Sequence, residues 1–131
     1  MEPKEVVRRF LEHGRRDGEW NMDVIDECFD DRYYSHTWHG DLAHTAARQG
    51  RFFAALEFVE GVSSDLIADG DFVVHRSTRR VRHVGEVLGV APTEREITVQ
   101  HVEMWRVEDG KIVEHWGGLG EAGQLYRALT I

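Results

Sequence analysis

The stretch from Gly85 to Gln124, GEVLGVAPTEREITVQHVEMWRVEDGKIVEHWGGLGEAGQ, decides the fold. Within it Asp109-Gly110 separates two runs of strand-forming residues, Glu96 to Val107 and Lys111 to Trp116. Asp-Gly suits a two-residue turn that needs positive φ at both central positions, so the runs form an antiparallel hairpin. Such a turn pairs Val107 with Ile112, Arg106 with Val113 and Met104 with His115. Val102, Met104, Arg106, Val113 and His115 then share one face, and His101, Glu103, Trp105, Glu114 and Trp116 the other. A three-residue turn with a bulge instead sets His115 beside Glu103, because a one-residue slip moves each side chain to the opposite face.

Upstream of the hairpin the same period of two runs through Val62 to Ala68 and Phe72 to Val84, giving four antiparallel strands with Gly or Pro between them. Before Val62 the period is helical. Val6, Val7, Phe10 and Leu11 follow Pro3 and predict a first helix from about Pro3 to Arg16, weakened by Gly14 and Gly18. Met22, Ile25 and Phe29 form a shorter stripe capped by Asn21, and Tyr33 to Thr37 reads as a short strand. Asp41 to Val59 is expected to be the longest helix, bent at Gly50, and Gln124, Leu125 and Leu129 a terminal one. Helices followed by successive strands make an α+β class, and residues 1–131 suit a single domain. A strongly curved sheet with helices across its concave face leaves a hollow at its wide end, where a ligand would sit.

The chain has 131 residues and a formal net charge of −8 spread in short mixed patches, which argues against a nucleic-acid partner. Arg79, Arg80 and Arg82 are the local exception; alternating on a strand, they read as a solvated sheet face, with anion binding as the alternative. Cys28, the only cysteine, permits no internal disulfide and sits in an apolar stripe as a small core residue. The start Met-Glu-Pro-Lys lacks an apolar signal segment and no run is long enough for a membrane span, so a cytoplasmic location is expected.

The pattern Gly85-x-x-x-Gly89-x-x-Pro92-Thr93, followed by Arg106-Val107-Glu108-Asp109-Gly110-Lys111-Ile112-Val113-Glu114-His115-Trp116, resembles the SnoaL-like polyketide cyclase family of the nuclear transport factor 2-like superfamily. Val6 to Phe10, Asn21 to Cys28, Tyr33 to His36 and Gly70 to Arg76 look like that family's first helix, second helix, following strand and central strand, in the same order. The resemblance implies a cone-shaped α+β fold and a pocket for a hydrophobic, oxygenated, polyketide-like small molecule, with no cofactor and no metal. The family's cyclases carry a catalytic histidine just before the hydrophobic-x-Asp-Gly turn and a catalytic aspartate four residues after the second-strand Trp. Those positions here hold Arg106 and Gly120. An arginine does not release its proton and glycine offers none, so cyclase chemistry would need other groups.

Three readings follow. In the first, a cofactor-free enzyme uses His115, Glu103 or Glu121, or His36, for acid/base work while Arg106 holds an oxyanion or carboxylate. In the second, the pocket binds a small molecule without turnover, walled by Met104, Trp38, His36 and Tyr34 and oriented by Arg106. In the third, the exposed sheet face makes a homodimer and the domain serves association. Plain packing roles stand beside each: His115 as a core histidine, Glu103 as a partner for His101, Arg106 as a structural ion-pair residue. His36, His39 and His44 form the densest imidazole group, but no local carboxylate pair completes a metal site and none is expected. No phosphate loop or dinucleotide motif is present.

Overall fold

The computed structural model describes the backbone of residues 1–16 and 19–131, and of residues 16 and 119–121 the backbone alone. Helix α1 (Pro3–Arg9) begins on its proline and passes into a π-helical turn over Phe10–Gly14. The first helix is therefore shorter than its apolar spacing predicts. Gly14 packs so closely that a Cβ there would stand 3.0 Å from Phe10. The chain then opens into a small ribbon, β1 (Arg15–Arg16) paired antiparallel with β2 (Glu19–Trp20). Asn21 caps α2 (Met22–Cys28) by accepting the Asp23 N–H, as its position predicts.

Strand β3 (Phe29–Ser35) leads through a turn to α3 (Leu42–Ala54), the longest helix, whose first turn is capped by the Asp41 carboxylate. The helix stops before Leu56, not at Val59. Leu56 and Phe58 alternate with Glu57 at a period of two, so this segment opens β4 (Leu56–Asp69). Then follow β5 (Phe72–His83), β6 (Glu96–Glu108), β7 (Lys111–Gly117) and the terminal helix α4 (Leu119–Thr130).

The large sheet has the order β3-β7-β6-β5-β4. Its last four strands are antiparallel as expected, but β3 joins β7 in parallel, so the sheet is mixed. It is curved and unclosed, and with the helices laid on its concave face it is the α+β architecture expected from sequence.

The concave face reads apolar, polar, apolar along each central strand. At one end Val73, Trp105, Val107 and Ile112 pack under Val6, Val7 and Phe10 of the first helical segment and Val24, Ile25 and Cys28 of α2. The Phe10 ring meets Phe29, Trp20 and Trp105 at centroid distances of 4.9, 5.7 and 6.1 Å. Truncating Phe10 to Ala in such a core costs about 3–5 kcal/mol. At the other end Val81, Val99 and Leu56 pack beneath Leu125 and Leu129 of α4. Gln124 accepts the Gln100 N–H and Arg95 donates to the Ala128 carbonyl, which ties α4 down. Between the two apolar clusters lie His75, Ser77, His101 and Glu103.

The hairpin explains how these polar groups come to face inward. Asp109 and Gly110 take φ of 50° and 78°, and Val107 pairs with Ile112 as a two-residue turn demands. The next pairing is not Arg106 with Val113. Val113 is bulged out, Arg106 pairs with Glu114, Met104 with Trp116 and Trp105 with His115. His115 thus joins Glu103 and Trp105 on the concave face. Arg106 and Met104 lie on the convex face, against the expectation that Arg106 looks into the hollow.

Candidate functional site

Glu103 is 1% exposed and stands at the centre of the polar belt. A lone carboxylate would be costly there, so its surroundings must supply donors. Arg15, delivered by the end of the π-helical turn, approaches it with both guanidinium nitrogens: Nη2 donates to Oε2 at 2.9 Å and Nη1 to Oε1 at 3.3 Å. His101 Nε2 lies 2.8 Å from Oε2, and His115 Nε2 lies 3.2 Å from Oε1. Gln49 donates to Oε1 at 3.5 Å and accepts from Arg15 at 3.3 Å. Thr45 and Gln49, one helical turn apart, are the buried residues of α3. Burial pushes the Glu103 carboxyl up, but the Arg15 guanidinium and the His101 imidazole outweigh it and hold it well below the usual carboxylate range.

Behind this carboxylate the parallel pairing of β3 with β7 sets Ser35 beside His115. Ser35 Oγ lies 2.8 Å from His115 Nδ1 and accepts the Trp38 N–H at 3.0 Å. Tyr33 is 4% exposed, and burial raises its phenol well above the ordinary value.

In front of it the belt opens into two adjoining hollows. One, about 690 Å³, is walled by Phe52, Phe53, Phe58, Val81 and Val99. The other, about 580 Å³, is lined by Ser63, Ser64, His75, Ser77 and His101. Leu11, Arg15, Phe58 and Arg79 border both. The Arg79 guanidinium sits 5.3 Å from the Phe53 ring centroid, while Arg80 lies between Glu60 and Glu96 on the other face. An apolar hollow with a few convergent polar groups at its floor is the usual shape of a small-molecule site. Burial pushes the His75 imidazole below its ordinary value, and its Nε2 meets Ser64 Oγ at 2.8 Å.

The residues marked from sequence separate into two groups. His115 and Glu103 come together on the concave face, buried behind Arg15 and His101, which line the hollows. Arg106, Met104, Tyr34 and His36 lie on the convex side. There Arg106 donates to Glu114 and, at 2.9 Å, to Glu108. His36 pairs with Glu114 at 2.7 Å and stacks on Trp116 at 4.9 Å. Trp38 meets the Phe52 ring edge-on at 6.4 Å, above α3. Glu121 falls in the first turn of α4, and its side chain lies outside the described residues, as does the setting of Gly120. Sequence reasoning missed Arg15, Gln49 and Ser35, which lie far from the hairpin in the chain. The signal for His101 was available: inner positions of β6 read Val99, His101, Glu103, Trp105, Val107, with two ionisable groups where a core strand should be apolar. Among the described residues no cluster of His, Cys, Asp and Glu could hold a metal ion, and no helix is long and apolar enough to cross a membrane.

Comparison with solved structures places the chain among proteins of this architecture. It superposes on a protein of Jannaschia sp. CCS1 assigned as a SnoaL-like polyketide cyclase with a TM-score of 0.81 at 20% identity, covering 98% of this chain and 91% of that one. TsrD of Streptomyces laurentii gives 0.73 at 24% identity, over 97% and 93%. AclR of Streptomyces galilaeus, assigned as a hydroxylase, gives 0.70 at 25% identity, over 98% and 85%. No curated protein gives a significant sequence match. The family model for SnoaL-like polyketide cyclases matches residues 5–126, nearly the whole length, and the chain belongs to that family.

Proposed function

We propose that this protein is a cofactor-free acid/base enzyme, of cyclase or isomerase type, acting on a hydrophobic, oxygenated small molecule bound in the hollow. The observation that carries the reading is the buried, ionised Glu103, whose Oε2 lies 2.8 Å from Nε2 of His101, a residue that borders the cavity. A neutral His101 can take a proton from a carbon beside a substrate carbonyl, and Glu103 at 2.8 Å stabilises the imidazolium that forms. Arg15, at the border of both hollows, supplies positive charge to the enolate oxygen. The apolar wall of Phe52, Phe53 and Phe58 suits a ring system. This chemistry uses different positions from the histidine and aspartate of the family's cyclases, whose places hold Arg106 and Gly120.

The test is hydrogen–deuterium exchange at the α-carbon of 2-tetralone, followed by proton NMR. The native protein accelerates exchange, and His101→Gln lowers the acceleration by roughly 10²-fold or more, the scale of a positioned base. A probe that binds with no exchange above buffer would favour the second reading, ligand binding without turnover. That reading draws support from the absence of the cyclase pair. The apolar convex side chains Phe72, Val102 and Ile67, 42%, 49% and 62% exposed, further suit a homodimer through the sheet.

A further inference from the structure

We infer that His115 is a positioning residue, held by Ser35 as the neutral Nε2–H tautomer so that it serves Glu103 from behind while His101 faces the hollow. The inference rests on the acid/base reading above and assigns His115 a place within it.

The donors and acceptors fit a single directed chain. Glu103 is ionised and can only accept, so the His115 nitrogen 3.2 Å away must carry a hydrogen. The Trp38 N–H can only donate, so it occupies a lone pair of Ser35 Oγ. With the ring neutral and its hydrogen on Nε2, Nδ1 is a bare acceptor, and the Ser35 hydroxyl donates to it at 2.8 Å. Ser35 O–H to Nδ1, and Nε2–H to Oε1, form a chain of like direction through groups at most 2% exposed. The carboxylate that His115 faces is already paired with the Arg15 guanidinium, and His115 itself is 2% exposed. The groups facing it are Glu103 from β6, Ser35 from β3 and the Trp105 ring at 5.9 Å. Arg15 from β1 and His101 from β6 reach it through Glu103. With both ring nitrogens engaged inside the wall, His115 has no edge to offer a substrate. Its effect is to keep one carboxylate oxygen occupied and the other turned to Arg15 and His101.

The experiment is a two-bond proton–nitrogen correlation on the full-length, nitrogen-15-labelled chain at pH 7, with no ligand. The expected signature for His115 is a protonated Nε2 and a bare Nδ1. Ser35→Ala loses the single-tautomer signature with the fold retained by circular dichroism, and Ser35→Thr restores it. An Nδ1–H form or an imidazolium in the native protein overturns the inference, as does an unchanged signature in a folded Ser35→Ala. Should Ser35→Ala not fold, the native spectrum decides with Ser35→Thr. Tautomer state is read without turnover, so the inference can fail while His101-dependent exchange of 2-tetralone persists. Equally, exchange can be absent while the tautomer is as expected.

Discussion

His115 Nε2 stands 3.2 Å from Glu103 Oε1 because a single residue, Val113, is bulged out of the strand between them and the turn. Without that bulge the two side chains would lie on opposite faces of the sheet. The polar belt behind the hollow therefore depends on backbone irregularity as much as on residue identity. A bulge beside a functional site is a common way to re-aim a side chain.

Glu103 should make stability depend on acid pH in a predictable direction. Its folded-state acidity lies well below the ordinary 4.5, so its contribution is fully present above that value and is lost as pH falls toward the folded value. Glu103→Gln removes this dependence. It also removes the buried carboxylate that Arg15, His101 and His115 converge on, at a cost of about 3 kcal/mol at pH 7. Urea unfolding at pH 7 and at pH 3.5 checks both. A variant equal to the native protein at pH 7, or as acid-sensitive as it is, would contradict the network as described.

Arg106→Met is expected to leave both the fold and ligand affinity in the hollow essentially unchanged. The guanidinium pairs with Glu108 and Glu114 on the convex side, away from the polar belt, and exposed pairs of this kind contribute little. Titrating 2-tetralone into both proteins by calorimetry decides the matter. A clear loss of affinity in the variant would mean that the binding site includes the convex face.

Much of the architecture was legible because periodicity reports which face of an element is buried. Pro3, Asn21 and Asp109-Gly110 marked helix starts and a turn from local chemistry alone. The parallel docking of β3 on β7 was not legible, since strand pairing across eighty residues leaves no local trace. Nor was the bulge at Val113, whose Ile112-Val113 context is equally compatible with unbroken alternation. The candidate site was half legible for the same reason. Glu103 and His115 belong to one hairpin, but Arg15, Ser35 and Gln49 reach them from elements whose placement only the tertiary fold determines.

The protein should be a dimer in solution. Phe72 and Val102, with Met104 and Trp116 between them on neighbouring strands, give the convex face an apolar patch of the kind a second copy covers. Light scattering at micromolar concentration is expected to return twice the chain mass, and Val102→Arg to return one. A native monomer would remove the association reading.

Gly117 is expected to tolerate no side chain, and the reason links the end of β7 to Glu103. Its φ is 135°, in the left-handed half of the map, and a Cβ built there would stand 2.5 Å from the Val102 carbonyl oxygen and 2.8 Å from the Glu103 Cα. Both neighbours are backbone of β6, which cannot rotate aside as a flexible side chain would. Gly117→Ala must either strain its own backbone or push β6 away at the residue that anchors the polar belt. The expected cost is about 2–3 kcal/mol in stability, the scale of an unfavourable backbone conformation. Because the displaced backbone carries Glu103, the variant should also lose the single-tautomer signature of His115 in the same labelled spectra. A folded Gly117→Ala with native thermal stability would show that β7 can end in another conformation. The close approach to Val102 and Glu103 would then not be what sets the site.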